Sequence, residues 1–442
     1  MKIILILIII LGGLLSLNAE QIVSLHEARE LLLNNNPEYL AKESALKAAE
    51  WDMHQALTSL FPSARLQGGY NYLDPKPFAG AQENYSISYG INVSQPVFMG
   101  GKLWLAYRMK SDAVKIAKAD LSYTRLSLLG SLETAYYNYL LSKELYVISQ
   151  NALDIAERNL ETARTRMDTG TLSRAEFLQF QTEVAAKEVA LIQAENNRQL
   201  SLRQLRNLIK VDISDVLPVD LQLYEELINY YQNLKGDEIE AVKEKLILYG
   251  EENNPLLIMT RAGQDISRKA VTLAKGNFLP TVNLSASRNW SDNFRGEYEF
   301  DSSTTYLLSL SLPIFPLFDN YSGYRKSYHA YRRTEREVET TEDSIKLAIE
   351  AALYTGIASA RTISSAELAL QYAQETYNMM EERFRNGLIS SIDLISIELL
   401  LTTSNLNAVQ SRYDFLKNRT NLMNLLNLED DGSLIDIMNN LY

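Results

Sequence analysis

One sequence pattern occurs twice along the chain at a fixed distance. Gly170 and Gly387 each lie in an Arg-x-x-x-Gly-x-x-Ser-x-x-acid segment, and the two glycines are 217 residues apart. Four more landmarks keep this spacing to within one residue: Pro37 with Pro255, Pro62 with Pro280, Pro96 with Pro313, and Leu205 with Leu422. A constant offset over most of a chain indicates a tandem duplication. The fold is therefore expected to consist of two similar halves.

The N-terminal segment 1–19, "MKIILILIIILGGLLSLNA", has Lys2, an apolar run to about Leu17, and Ala19. This order predicts a cleaved secretory signal peptide. The apolar run is short for a transmembrane helix, which needs about 20 residues. No later apolar run approaches that length. These observations argue against an α-helical membrane span and leave a β-barrel open.

Composition disfavours several classes of protein. The chain has no Cys, which removes disulfides and a lipid-modified N-terminal Cys. Its formal net charge of -12, without a cluster of Lys and Arg, disfavours binding of nucleic acid. The three His, namely His26, His54 and His329, are scattered, and no metal-ligand pattern, P-loop or dinucleotide motif is present. We therefore expect no enzyme activity, no metal site and no cofactor.

Each half contains two segments in which apolar and polar residues alternate, which predicts strands at about 62–73, 84–97, 280–291 and 303–314. A soluble sheet with one wet face would show the same period. However, the polar faces are small and mostly uncharged, and Tyr or Trp lies near the strand ends, as in transmembrane barrels. Because about eight strands is the smallest natural barrel, four strands per chain would have to be shared between chains.

Long stretches without Pro follow each strand pair and predict helical hairpins at about 102–210 and 320–428. A helix from Lys102 to Met167 would be roughly 100 Å long. Beyond each tip glycine the apolar residues recur every three or four positions, which is coiled-coil spacing. The resulting organisation, in chain order, is a signal peptide (1–19), a first repeat (20–210), a segment between the repeats (211–236), a second repeat (237–428) and a C-terminal tail (429–442).

The two glycine segments predict a tight reversal between helices. A glycine just past a helix end can take a left-handed conformation that other residues adopt at a cost. Ser173 with Glu176, and Ser390 with Asp393, are spaced as capping boxes that start the next helix. Each segment is therefore the far end of an αα-hairpin.

These features together resemble the TolC family of outer-membrane efflux ducts. The resemblance rests on the tandem halves, the strand pairs and hairpins, the strand exits "QPVFMGG" and "LPIFPLF", and the doubled tip motif. It implies a mixed α and β membrane protein of the outer membrane, with four transmembrane strands per chain. A homotrimer would form one 12-stranded barrel in outer-membrane lipid, continued into the periplasm by a coiled-coil α-barrel. The implied function is the exit duct of a tripartite efflux or type I secretion system.

The resemblance also implies partners and sites. A periplasmic adaptor and an inner-membrane pump would be the partners, and the pump would decide the substrate. The adaptor-docking tips would comprise Arg166, Gly170, Ser173, Glu176, Arg383, Gly387 and Ser390. Alternatively, these residues only shape the turns.

The periplasmic entrance gate would fall at Asp393 and Ser396, where relatives carry two acidic residues one helical turn apart. Only Asp393 is acidic here, and Glu398 is a poor substitute for the missing acid. Three symmetry-related Asp393 carboxylates in a narrow pore would attract cations. Alternatively, Asp393 is only the acid of its capping box.

A soluble periplasmic coiled-coil scaffold is the alternative function. It would account for the signal peptide and the helices. It would leave the four alternating, aromatic-ended segments without a role.

Overall fold

The computed structural model describes residues 22–76, 78, 81–295, 300–315 and 317–439. The predicted signal peptide lies outside these ranges. The described residues fall into two compact units, the first made of 22–41, 123–254 and 344–439 and the second of 42–122 and 255–343.

The helices and strands follow the order expected of two repeats. The first half contains β1 (Ile22–Val23), α1 (Leu25–Asn35), α2 (Pro37–Thr58), β2 (Ser63–Tyr72), β3 (Tyr85–Met99), α3 (Lys102–Asp168) and α4 (Arg174–Ile209). Between the halves lie β4 (Asp215–Val216) and α5 (Glu225–Asn233). The second half contains α6 (Gly236–Asn253), α7 (Pro255–Lys275), β5 (Thr281–Ser291), β6 (Asp301–Ser311), α8 (Leu317–Arg385) and α9 (Ser391–Leu426), and the tail forms α10 (Asp431–Asn439). No helix within the described ranges is both long enough and apolar enough to cross a membrane.

The second unit contains a four-stranded antiparallel sheet in the order β2-β3-β5-β6. Each repeat supplies one hairpin, and the pairing of β3 with β5 joins the repeats. Aromatic pairs cross the strands, with ring centroids 5.2 Å apart for Tyr89 and Trp290. The outer strands β2 and β6 have no strand partner on their free edges among the described residues, and they expose large apolar side chains such as Leu66 and Leu310.

The first unit contains the distal parts of the two helical hairpins and the segments between and after the repeats. A short parallel pair joins β1 to β4, and the Tyr136 hydroxyl donates to the backbone oxygens of Val23 and Leu217 at 3.2 and 2.6 Å. The buried Tyr231 of α5 packs edge-on against Phe415 of α9 at 6.2 Å. These contacts fix the 211–236 segment against the helices of the repeats.

A buried ionic cluster ties α10 to the helices of this unit. Arg419 of α9 is 5% exposed and forms a two-pronged ion pair with Asp431 at 2.6 and 2.9 Å. Its Nη1 also lies 3.3 Å from Glu133 of α3, and Glu133 is further bound by Arg29 and Thr420. Because each charge faces an opposite charge, the cluster satisfies groups whose isolated burial would be costly.

Candidate functional site

The long helices α3 and α8 end in the same type of turn at the two hairpin tips. Gly170 and Gly387 have φ values of +78° and +73°, in the left-handed region that favours glycine. The Gly170 N–H donates to the Met167 oxygen at 2.9 Å, and the Thr171 N–H donates to the Arg166 oxygen at 2.8 Å. This bonding pattern is a Schellman motif, and Gly387 and Leu388 repeat it on Phe384 and Arg383.

Both predicted capping boxes are confirmed. The Ser173 Oγ accepts the Glu176 N–H at 3.2 Å, and the Glu176 carboxylate accepts the Ser173 N–H at 3.0 Å. Ser390 and Asp393 form the equivalent bonds at 3.3 and 3.2 Å. Hydrogen bonds from the two serines hold the pKa of Glu176 and of Asp393 below the usual values of those carboxyls. Both acids are therefore ionised at neutral pH.

The two tips are joined by one of the two tip arginines. The Arg166 Nη1 donates to the backbone oxygen of Phe384 at 2.9 Å, and its guanidinium lies 4.6 Å from the centroid of the Phe384 ring. The ring is buried and packs against Phe180 at 5.4 Å. Arg383, the repeat equivalent of Arg166, is exposed. The two arginines of the same motif thus occupy different environments within one chain.

An apolar core lies next to the tips and draws on all four helices of the hairpins. Its buried members are Ala163, Leu172, Phe180, Ala373, Tyr377, Phe384, Leu394 and Leu401. The coiled-coil spacing of the apolar residues beyond each tip glycine predicted part of this core. The core fixes the two tips of one chain as a single packed body.

A buried polar group next to this core differs from the sequence-based expectation. Glu398, considered above only as a weak gate acid, is 1% exposed and faces the chain interior. Its Oε2 accepts a hydrogen bond from Asn159 at 3.0 Å, and its Oε1 lies 3.7 Å from the Lys187 ammonium. Burial raises the pKa of Glu398, and Lys187 and Asn159 partly offset that rise. Nothing in the sequence around Glu398 indicated that this side chain would be buried against Asn159 and Lys187.

The two predicted gate residues lie on α9 next to the second tip. Asp393 and Ser396 are both exposed, and Asp393 is engaged in its capping box. The Ser396 hydroxyl donates to the Ile392 oxygen at 2.7 Å within the helix. Neither side chain packs into the apolar core.

The fold and the tips define a duplicated chain, with a four-stranded antiparallel sheet in one unit and the tips of two long helical hairpins in the other. The family described as Outer membrane efflux protein matches residues 28–209 and 250–428. The chain therefore belongs to this family, as the TolC-like features of the sequence predicted.

Individual proteins show the same likeness. The chain is 23% identical over 446 residues to Outer membrane protein TolC of Escherichia coli, covering 97% of this chain and 87% of the relative. It is 20% identical over 313 residues to the alkaline protease secretion protein AprF of Pseudomonas aeruginosa, covering 68% of this chain and 62% of that protein. The crystal structure of the Campylobacter jejuni CmeC outer membrane channel superposes with a TM-score of 0.77 at 16% identity, covering 95% and 90% of the two chains.

Proposed function

We propose that three copies of this chain form an outer-membrane exit duct that passes substrates from a periplasmic adaptor and an inner-membrane pump to the exterior. The observation that carries this proposal is the four-stranded sheet, whose two edges have no strand partner within the described ranges, in a member of the outer membrane efflux family. An unpaired edge in lipid leaves backbone groups without partners. Three copies supply twelve strands and can remove every edge.

The exposed side chains of the edge strands support a lipid-facing surface. Leu66, Tyr306, Leu308 and Leu310 are each at least 68% exposed in the single chain. A soluble monomer rarely exposes a contiguous apolar patch of this kind. This surface favours the duct over a soluble periplasmic scaffold.

The hairpin tips are the proposed docking surface for the adaptor. Gly170 has open space around its missing Cβ, and the Arg383 side chain is exposed beside the second turn. Both turns expose polar groups on a rigid Schellman scaffold, which supports recognition by another helical hairpin. The docking set is the one implied by the family resemblance: Arg166, Gly170, Ser173, Glu176, Arg383, Gly387 and Ser390.

The entrance gate is proposed at Asp393, with Ser396 one turn further along α9. Threefold symmetry would bring three ionised Asp393 carboxylates around one axis, where they attract cations. The capping bonds of Asp393 are compatible with this attraction of cations, because they use the carboxylate in its ionised form. One ring of acids is expected to select for cations less strongly than two would.

Fractionation and reconstitution test the proposal. The protein is expected in the outer-membrane fraction, and amine-reactive cross-linking in detergent should give a three-chain species. The purified protein should conduct ions in planar bilayers. A stable monomer in the periplasmic fraction, without conductance, would support the scaffold instead.

Efflux and secretion are distinguished by partners rather than by the duct. AprF is named for protease secretion, whereas the family is named for efflux. Co-purification of the trimer with adaptors encoded near its gene would assign the pump class.

A further inference from the structure

The two long helices that follow the strands, α3 and α8, begin with the same order of side chains. Each carries an aromatic residue, an Arg four residues later and a second cation eleven residues after the aromatic residue. These residues, which we call the strand-exit belt, are Trp104, Arg108 and Lys115 on α3 and Tyr321, Arg325 and Arg332 on α8. The two sets are 217 positions apart, which is the spacing of the duplication. The feature therefore belongs to both repeats.

The belt lies on one exposed face of each helix. Residues four and seven positions apart fall on the same side of an α-helix. All six side chains are exposed, and the rings of Trp104 and Tyr321 are 54% and 51% exposed. The neighbouring helices bind α3 elsewhere: Lys269 of α7 pairs with Asp112, and Asp52 of α2 pairs with Lys110 at 2.6 Å. These contacts leave the belt of α3 uncovered.

Exposed apolar residues come before the belt in both repeats. Val97 and Phe98 at the end of β3 are 60% and 42% exposed, and Phe315 and Phe318 at the start of α8 are 91% and 78% exposed. In each repeat the chain thus passes from apolar to aromatic to cationic side chains. A bilayer presents its environments in the same order, from hydrocarbon through the interface that Trp and Tyr favour to the charged head groups.

The same two segments are cationic, although the whole chain carries a formal net charge of -12. Segment 97–118 has five Lys and Arg against one acid, and segment 312–333 has four against one. Arg108 and Lys326 form no ion pair with any described residue, and Arg325 binds His329 of its own helix at 3.3 Å. A guanidinium without a carboxylate partner can bind a phosphate through its N–H groups.

We propose that the strand-exit belt binds the phosphate groups of anionic phospholipids in the inner leaflet of the outer membrane. The rings of Trp104 and Tyr321 lie at the boundary between hydrocarbon and head groups. Arg108 and Arg325 begin about 6 Å further along their helices, at the level of the phosphates. The second cations lie about 16 Å beyond the rings and add their charge to the attraction. This proposal rests on the proposed function, because it requires α3 and α8 to leave the membrane on the periplasmic side.

Continuity with the sheet favours a lipid over free phosphate. Alternate residues from β6 to the strand exit form one exposed apolar face, which consists of Tyr306, Leu308, Leu310, Leu312 and Ile314. This face leads directly to the belt of α8. Free phosphate would use the cations alone, whereas a phospholipid also uses the apolar face and the rings. The occupant that fits all three is therefore a phospholipid with an anionic head group.

Quenching of Trp fluorescence by brominated lipids tests the belt. The chain has three Trp, so Trp51→Phe with Trp290→Phe leaves Trp104 as the reporter. Quenching over a series of mixtures with phosphatidylcholine should show tighter binding of brominated phosphatidylglycerol than of brominated phosphatidylcholine. Arg108→Gln should reduce this preference about five-fold, as expected for one cation near an anionic surface. Arg108→Lys keeps the charge and should keep most of the preference.

Two further measurements separate the belt from a general effect of charge. Arg203→Gln removes an exposed Arg of the first unit and should leave the preference at Trp104 unchanged. Tyr321→Trp, in a chain whose own three Trp are replaced by Phe, reports on the second repeat. Arg325→Gln should reduce the preference there by the same factor. Added KCl should weaken the preference at both reporters, because exposed charges are screened by salt.

The outcomes distinguish this inference from the proposed function. Equal binding of the two lipids, or a preference unchanged by Arg108→Gln, would overturn the inference and leave the duct. Loss of the preference in inorganic phosphate, but not in KCl of the same ionic strength, would show that the belt binds free phosphate instead. If neither lipid quenches Trp104 in a protein that conducts ions in planar bilayers, the ring does not face lipid and the inference is wrong. A protein that shows neither quenching nor conductance would contradict the proposed function itself.

Discussion

Removal of the Lys187 ammonium should destabilise the packed tips because it leaves the buried Glu398 carboxylate without its counter-charge. The two groups lie 3.7 Å apart, and Glu398 is 1% exposed. At an effective dielectric constant of about 20, this separation corresponds to an attraction of about 4 kcal/mol. Lys187 keeps some contact with solvent, so we expect Lys187→Met to lower the free energy of unfolding by about 3 kcal/mol at neutral pH.

Substitution of the other partner, Glu398, should change the free energy of unfolding little. Glu398→Gln removes the buried charge, keeps a hydrogen-bond acceptor for Asn159, and leaves Lys187 paired with Glu183 at 2.9 Å. Burial already disfavours the ionised form of Glu398. The change in unfolding free energy should therefore stay within about 1 kcal/mol, and adding Glu398→Gln should rescue most of the loss in Lys187→Met.

The effect should depend on pH in a defined direction. The folded-state pKa of Glu398 is raised above its usual 4.5, so its contribution to stability is full below that value and is lost as pH rises through the folded pKa. Removal of Lys187 raises this pKa further. The penalty of Lys187→Met should thus be smaller at about pH 5 than at about pH 8.

The assay is thermal or urea unfolding of the detergent-solubilised protein, followed by far-ultraviolet circular dichroism. Glu183→Gln is the control, because it removes the other partner of Lys187 and leaves the Glu398 pair intact. It should cost about 0.5 kcal/mol or less. A Lys187→Met variant no less stable than Glu398→Gln, or equally destabilised at both pH values, would refute the reasoning.

Three further predictions concern the tips and the ionic cluster. Gly170→Val should abolish export without lowering trimer yield, because a β-branched residue at φ +78° is strained by about 1–2 kcal/mol even in open space; export by this variant at the normal rate would rule out dependence on the turn. Asp393→Asn should reduce cation selectivity and block by multivalent cations in single-channel recordings, because it removes the charge of the proposed ring. Arg419→Met should destabilise the first unit by about 3–5 kcal/mol in urea unfolding, because it leaves Glu133 and Asp431 without their shared cation, and adding Glu133→Gln should recover part of the loss.

The turns at the two hairpin tips are specified by the local sequence. The Schellman closure and the capping box each join residues at most five positions apart, so a glycine, a serine and an acid suffice to specify them. The sequence also predicted both long hairpins and the four alternating strands, because period and proline placement are local signals. The pairing of β1 with β4 was not predicted, since two-residue strands carry no period.

Some features of the candidate site were predicted from the sequence, and others are known only from the structure. Its turn residues were predicted from the sequence together with the family resemblance, and their docking and gating roles stay predictions. The environments of Glu398 and of the two arginines could not be predicted. The identical motif places Arg166 and Arg383 at equal positions, yet only Arg166 lies on a Phe ring in the described chain.

The sequence by itself determined the duplication, the helical and strand segments and the geometry of each turn, because each depends on contacts within a few residues or on a regular period. Only the tertiary structure decided which face of each helix is covered. That choice depends on the neighbour a helix meets, and equivalent helices of the two repeats meet different neighbours. Val409 is covered and Ile192 is bare for this reason, although the duplication placed them at the same position.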